Sequence, residues 1–71
     1  MINKNSFKLS IIIPCYNEIF TIDKIINKIL DSLNAYQYSN YEIVIVDDNS
    51  IDGTKEKLKI YESNKNFIIH Y

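Results

Sequence analysis

Two short aliphatic runs, each followed at once by a polar segment, constrain the fold of this chain more than any other feature. The runs LSIII (residues 9–13) and EIVIV (residues 42–46) are rich in β-branched side chains. Their side chains are mostly apolar at both odd and even positions, which is typical of parallel strands covered on both faces. The sequence therefore predicts two parallel strands, the first of them ended by Pro14.

A helical pattern fills the segment between the two runs. Apolar residues recur at helical spacing between residues 20 and 33, and charged and amide side chains occupy the other side. Thr21 is the predicted N-cap, and Asp23 in the first turn favours the helix dipole. The apolar stripe that is predicted to pack in the core consists of Phe20, Ile22, Ile25, Ile26, Ile29, Leu30 and Leu33.

The last third of the chain predicts one more helix and one more strand. Asp52-Gly53-Thr54 opens a weaker helix that runs to about Ser63, with Leu58 and Tyr61 on its inner face, and residues 66–71 form a third strand. The order β-α-β-α-β is that of half a doubly wound, mostly parallel sheet in the α/β class. Right-handed crossovers between successive strands place both helices on one face and leave the other bare. Because soluble monomers avoid bare apolar faces, residues 1–71 are expected to be one incomplete domain.

Composition excludes several classes of function. The net charge is −1, with eight Lys and no Arg, so the chain has no basic surface for nucleic acid and no bidentate Arg clamp. The single cysteine, Cys15, excludes an internal disulfide and a CxxC metal knuckle. No apolar stretch approaches the ~20 residues of a membrane helix, and residues 3–8 are too polar for a signal peptide. A cytoplasmic protein is therefore expected.

The candidate site lies at one edge of the predicted sheet. Ligands of open α/β sheets bind beyond the carboxyl ends of the strands, where this chain has the loops PCYNE (residues 14–18) and DDNSIDGT (residues 47–54). Gly53 is the only glycine, so a Gly-x-Gly-x-x-Gly turn and a P-loop are excluded and classical dinucleotide binding is disfavoured. Receiver-type phospho-acceptor domains also carry adjacent Asp residues, but there the pair follows the first strand, whereas here it follows the second.

These two loops and their strands resemble a known family. The stretches SIIIPCYNE (residues 10–18) and YEIVIVDDNSIDGT (residues 41–54) resemble the N-terminal, nucleotide-binding half of the family 2 glycosyltransferases, which have the Rossmann-like GT-A fold. The Pro-Cys-Tyr-Asn-Glu form is similar to that of the polyprenyl- and dolichyl-phosphate sugar synthases. The resemblance covers residues 9–62, with both motifs at the separation that the family shows.

The resemblance implies a role for each matching residue. Pro14 and Tyr16 would pack around the nucleoside of a nucleotide-diphosphate sugar of UDP or GDP type, and Glu18 would lie beside the nucleoside. Asp48 would hydrogen-bond the base, because a carboxylate accepts an imino or amino N–H of uracil or guanine. Asp47 either shares in this pocket or only supports the loop.

Each of these residues also has a plain structural interpretation. Pro14 fits a strand terminator and Tyr16 a core aromatic. Asp47 and Asp48 fit a solvated turn at the end of a strand, and Asn17-Glu18 fits the start of a helix. In the same way Cys15 is expected to be a small packed residue, and His70 a structural residue in a strand.

The resemblance further implies that this chain is the donor-binding part of a sugar transferase. The complete enzyme would transfer a sugar from its nucleotide diphosphate to an acceptor. The resemblance favours a lipid phosphate as the acceptor, which would place the enzyme at the cytoplasmic face of a membrane. The family binds a divalent metal, Mg or Mn, through a later Asp-x-Asp motif, and its general base also comes later. No catalytic residue or metal ligand is thus predicted here, and the chain alone is expected to be inactive. The alternative is a complete, non-catalytic nucleotide-binding or interaction module that self-associates through its bare sheet face.

Overall fold

The computed structural model describes residues 7–71 as a parallel three-stranded sheet with helical crossovers. Residues 1–6, which include most of the polar N-terminal segment considered above, lie outside the described residues. The elements in chain order are β1 (Leu9–Cys15), α1 (Ile22–Ala35), β2 (Tyr41–Asp47), α2 (Thr54–Leu58), a 3₁₀ segment (Lys59–Tyr61) and β3 (Phe67–His70). The predicted α/β order is confirmed.

The strands lie in the sheet in the order of the chain. β1 pairs with β2 and β2 with β3, both in parallel, so that Ile13 stands opposite Ile45 and Ile45 opposite Ile69. Right-handed crossovers between strands in this order bring both helical connections to the same face. A direct contact joins the two connections there, because the Tyr61 hydroxyl donates to Asp23 Oδ1 of α1 at 2.6 Å.

The core lies between this face of the sheet and the helices. Ile43 and Ile45 at its centre are fully buried, because their strand lies between two others and under both helices. The ring of Tyr61 stacks on Phe67 with 5.0 Å between the ring centroids, which closes the core beside β3. The buried cluster consists of Ile13, Cys15, Ile22, Ile26, Ile43, Ile45, Leu58 and Phe67.

The second face of the sheet is open in residues 7–71. Ile12 of β1 is 68% exposed, and Val46 and Ile68 on the neighbouring strands are exposed as well. The predicted bare face is therefore present in the described residues, although apolar side chains at both odd and even positions are typical of strands covered on both faces. The bare face follows from the strand order, since both crossovers occupy the opposite side.

Two details of the predicted elements are wrong. Pro14 does not end the first strand but lies within it, opposite Val46. A proline is tolerated there because β1 is an edge strand, whose outer side needs no N–H for the sheet. Phe20 was predicted in the core stripe, but it is 87% exposed, because α1 begins only at Ile22 and the preceding turn lies outside the helical repeat.

The helices are short. The longest described helix, α1, has 14 residues, and within residues 7–71 no helix combines the length and the apolarity that crossing a bilayer requires.

Candidate functional site

Every residue predicted for the site lines one depression at the carboxyl ends of β1 and β2. The depression is open to solvent and has a volume of about 390 Å³. It lies where the predicted loops meet, because parallel strands end at the same edge of the sheet. Its lining consists of Pro14, Cys15, Tyr16, Glu18, Val46, Asp47 and Asp48.

The two adjacent acids have opposite surroundings. Asp47 is 3% exposed, and both of its oxygens are engaged by Ser50: the Ser50 N–H donates to Oδ2 at 3.0 Å and the Ser50 hydroxyl donates to Oδ1. Asp48 is exposed, and its main-chain N–H donates to the carbonyl of Cys15 at 2.8 Å. No described residue donates a hydrogen bond to its carboxylate. Asp47 thus supports the loop, while the Asp48 carboxylate is available to a ligand.

Tyr16 and Glu18 flank the depression from the first loop. Tyr16 is 55% exposed, so its interpretation as a core aromatic is wrong. Glu18 is half-buried, and its carboxylate accepts the hydroxyl of Thr21. The Glu18 carbonyl also accepts the N–H groups of Thr21 and Ile22, at 3.0 and 2.8 Å. Glu18 therefore lines the depression, and its carbonyl accepts the N–H of Ile22, the first residue of α1. Thr21 holds the predicted N-cap position, but its hydroxyl points to Glu18 rather than capping the helix.

Asn17 connects the first loop to the second. Its backbone is left-handed, with φ at 50°, a conformation that Asn tolerates better than most residues. Its N–H donates to Ser50 Oγ at 2.8 Å, and its Oδ1 accepts the N–H of Ile51 at 2.9 Å. Asn17 therefore holds two consecutive residues of the second loop, Ser50 through its main chain and Ile51 through its side chain.

A second set of hydrogen bonds joins the loops nearer to the helices. The Glu18 N–H donates to Oγ1 of the fully buried Thr54 at 3.0 Å, and the Ile19 N–H donates to Asp52 Oδ2 at 3.2 Å. Asp52 Oδ1 accepts the Thr54 N–H at 3.0 Å. Desolvation opposes ionisation of Asp52, but the hydrogen bonds from Thr54 and Ile19 outweigh it and lower the pKa of its carboxyl.

Sequence reasoning missed Asn17 and Ser50 as residues that position the site, and it gave Asp52 and Thr54 only the role of starting the second helix. Short polar side chains of these types bind nearby main chain in turns, which is the signal that the sequence offers. That signal does not identify their partners across the loops, which lie 33 to 36 residues away along the chain.

Cys15 lies under the depression as a packed residue. It is buried in the core cluster, as expected. Burial, followed by the negative charges of Asp47, Glu18 and Asp52, raises the pKa of its thiol to about 11. The thiol is therefore protonated at neutral pH, which is the form that packs well and reacts poorly.

A charged cluster ties α1 to α2. Lys57 Nζ lies 3.0 Å from Asp23 Oδ2 and donates to the Ile19 carbonyl at 2.8 Å. Together with Tyr61 this fixes the start of α1 against the second connection. The hydrogen bond from Tyr61, and then Lys57, lower the pKa of Asp23, while burial and Asp23 raise the pKa of Tyr61 to about 12.

The acidic residues of the site do not form a metal centre in the described part of the chain. Residues 7–71 contain no group of three or more His, Cys, Asp or Glu side chains that could hold a metal ion. Two of the carboxylates here already accept hydrogen bonds, that of Asp47 from Ser50 and that of Asp52 from Thr54 and Ile19.

The family model and the relatives that match this chain are all glycosyltransferases. Residues 10–71 match the profile of Glycosyl transferase family 2. The chain is 50% identical over 50 residues to a dolichol-phosphate mannosyltransferase of Pyrococcus furiosus, and 46% identical over 48 residues to glycosyltransferase AglE of Haloferax volcanii. It is also 40% identical over 65 residues to an uncharacterized glycosyltransferase of Mycoplasma genitalium.

These relatives are much longer than the chain. The matched segments make up 70%, 68% and 90% of this chain, but only 13%, 15% and 21% of the three relatives in turn. No solved structure matches the chain significantly.

Proposed function

This chain belongs to glycosyl transferase family 2, and from that premise we propose that its depression binds the nucleoside of a nucleotide-diphosphate sugar. One observation carries the proposal: an exposed carboxylate, Asp48, and an exposed aromatic ring, Tyr16, line the same open depression. An acceptor group beside a flat apolar ring matches the two surfaces of a nucleobase, its N–H edge and its face.

Each residue of the depression then has a role. Asp48 accepts an imino or amino N–H of uracil or guanine in a charge-assisted hydrogen bond. The base or ribose packs against Tyr16 and Pro14, since aromatic rings stack on bases of any type. Glu18 lies beside the nucleoside. Asp47 contributes indirectly, because its carboxylate is occupied by Ser50 and fixes the loop that carries Asp48.

We propose that the protein containing this chain transfers the sugar to a lipid phosphate acceptor. The support is the name of the Pyrococcus furiosus relative, a dolichol-phosphate mannosyltransferase. Such an acceptor would place the enzyme at the cytoplasmic face of a membrane. A divalent metal, Mg or Mn, would neutralise charge on the leaving diphosphate, and its ligands would lie outside residues 7–71. Donor binding, rather than transfer, is the activity that we assign to this part of the protein.

Calorimetric titration with UDP and with GDP tests the assignment. We expect one of the two nucleotides to bind, and Asp48→Ala to weaken its binding by about 1–3 kcal/mol, the scale of a lost hydrogen bond to a charged group. Asp31→Ala is the matched control, because Asp31 is an exposed acid on α1 outside the depression. Equal affinities for Asp48→Ala and the unmodified chain, both folded, would overturn the assignment.

A transfer assay separates this function from that of a non-catalytic nucleotide-binding module. Both functions use the same depression, so nucleotide affinity does not distinguish them. The protein that contains this chain is incubated with UDP-glucose or GDP-mannose and with a polyprenyl phosphate, and the lipid fraction is analysed for sugar. Sugar in the lipid supports the transferase. Nucleotide binding without sugar in the lipid overturns the lipid phosphate acceptor and favours the module.

A further inference from the structure

We infer that Asn17 is a positioning residue that holds Asp48 in place for the nucleobase. The inference rests on the proposed function, because it assigns Asn17 a part in the recognition that Asp48 carries out. Asn17 itself is not among the residues that line the depression. Its effect on a bound base would therefore pass through the loop that contains Asp48.

The first step of the argument is the connection from Asn17 to Asp47. A serine hydroxyl has one proton, and that of Ser50 is donated to Asp47 Oδ1. The lone pairs of the same hydroxyl accept the Asn17 N–H. Ser50 is buried, so water does not compete for these contacts. Asn17 is thus linked through one hydroxyl to the buried carboxylate next to Asp48.

The second step is that Asp48 is held from both sides by the first loop. Its own N–H is bound to the carbonyl of Cys15, and three residues later the Ile51 N–H is bound to Asn17 Oδ1. Between these two points Asn49 also has a left-handed backbone, with φ at 57°. A segment with such a turn keeps its shape when both of its ends are fixed. Release of the Asn17 contact frees one end.

The third step is that loss of the Asn17 side-chain contact affects base recognition more than the stability of the fold. The hydrogen bond between Asn17 Oδ1 and the Ile51 N–H is exposed, and residue Ile51 as a whole is 82% exposed. Water can therefore replace Asn17 as the partner of the Ile51 N–H, which makes the loss small for folding. A water molecule does not, however, tie the loop with Ile51 to the first loop as Asn17 does. Because a recognition group held loosely by about an ångström loses most of its selectivity, the loss is large for base recognition.

The test measures discrimination against a base that lacks the imino proton. UDP and GDP are each compared with the analogue that carries a methyl group on the imino nitrogen, 3-methyl-UDP or 1-methyl-GDP. We expect the unmodified chain to bind its preferred nucleotide at least about tenfold more tightly than the methylated form, and Asp48→Ala to lose this preference. Asn17→Gly keeps the left-handed backbone and removes Oδ1, and it should reduce the preference to about threefold or less.

Asn17→Asp is the conservative variant. It keeps an acceptor oxygen at the same place and tolerates the left-handed backbone, so it should retain the preference of the unmodified chain. If Asn17→Gly does not fold, Ser50→Ala takes its place, because it removes the hydroxyl that accepts the main-chain N–H of Asn17 and so cuts the other connection between Asn17 and this loop. Thermal unfolding of each variant shows that a change in preference is not a loss of fold.

The outcomes distinguish the two proposals. If Asp48→Ala does not reduce the preference of the unmodified chain, or there is no preference, the proposed function fails and the inference fails with it. If Asp48→Ala loses the preference but Asn17→Gly and Ser50→Ala keep it, the proposed function stands and the role of Asn17 is refuted. The inference is supported if Asn17→Gly loses the preference for the unmethylated nucleotide and Asn17→Asp retains it.

Discussion

Cys15 and Asp47 stand opposite each other in the register of β1 and β2, and both side chains are buried. This pair brings a thiol and a carboxylate together beneath the open depression. Only the carboxylate has hydrogen-bond donors of its own, from Ser50. The two residues therefore differ in what they contribute: Asp47 fixes the loop above it, and Cys15 fills space.

Replacing Asp47 should destabilise the fold. Asp47→Ala removes the acceptor for both the N–H and the hydroxyl of the buried Ser50, so we expect a loss of about 1–3 kcal/mol in the free energy of unfolding. Urea denaturation followed by circular dichroism measures it. Asp48→Ala is the matched control, since Asp48 is exposed and should change stability by no more than about 0.5 kcal/mol. Equal losses in both variants would show that Asp47 does not support the loop.

Cys15 should make the protein less stable in alkali. Burial and nearby carboxylates raise the pKa of the folded thiol to about 11, above its usual value of 9.0. Between these pH values the unfolded thiol has lost its proton and the folded one has not. The stabilisation is therefore fully present below pH 9 and is lost as the pH rises through about 11.

Comparison with Cys15→Ala isolates this effect from other groups that titrate in alkali, such as Tyr61. The difference in unfolding free energy between the unmodified chain and Cys15→Ala should decrease from pH 9 to pH 11. A difference that stays constant over this range would contradict the raised pKa. Iodoacetamide should also label Cys15 in the native state far more slowly than in urea, because the thiol is buried.

Gly53 should resist substitution. Its φ of 96° is a conformation that side chains rarely adopt, and an added Cβ would lie 2.8 Å from Ile19 Cδ1. We expect Gly53→Ala to destabilise the chain by at least about 1–2 kcal/mol, the cost of a left-handed backbone for a residue with a Cβ. The Ile19→Val background lacks Cδ1 and separates the two causes. If the loss disappears entirely in that background, the contact is responsible and the backbone is not strained.

The open face of the sheet should promote self-association of this chain. Ile12, Val46 and Ile68 form an apolar surface there, and contact with a second copy would remove it from water. Sedimentation analysis should show species heavier than a monomer, and Ile12→Lys should shift them towards the monomer. Phe20→Lys is the control, since Phe20 is equally apolar but precedes α1 and lies off the strands. A monomer at all concentrations would contradict this prediction.

Much of the fold was predictable because its signals are local. The two aliphatic runs gave the central strands, and the helical repeat gave α1, since each pattern depends on residues only a few positions apart. The errors occur at the ends of the helices and strands. Phe20 fits the helical repeat but precedes the helix, and Pro14 resembles a terminator but lies in an edge strand that needs no N–H from it.

The place of the candidate site was also predictable, because parallel strands present their carboxyl ends at one edge. The roles of the individual residues in the site were not predictable. Asn17, Ser50 and Thr54 act through partners more than 30 residues away, and no local pattern in the sequence links such positions.

The sequence by itself determined the order of the elements and the edge at which their polar loops meet. The tertiary structure alone decided which acid is buried. Apolar side chains occupy both odd and even positions of β2, so the sequence does not reveal which set faces the helices. Packing of both crossovers on one face buries Ile43, Ile45 and hence Asp47, which continues the same side of the strand. Asp48 follows on the next position, and there its carboxylate remains exposed to a ligand.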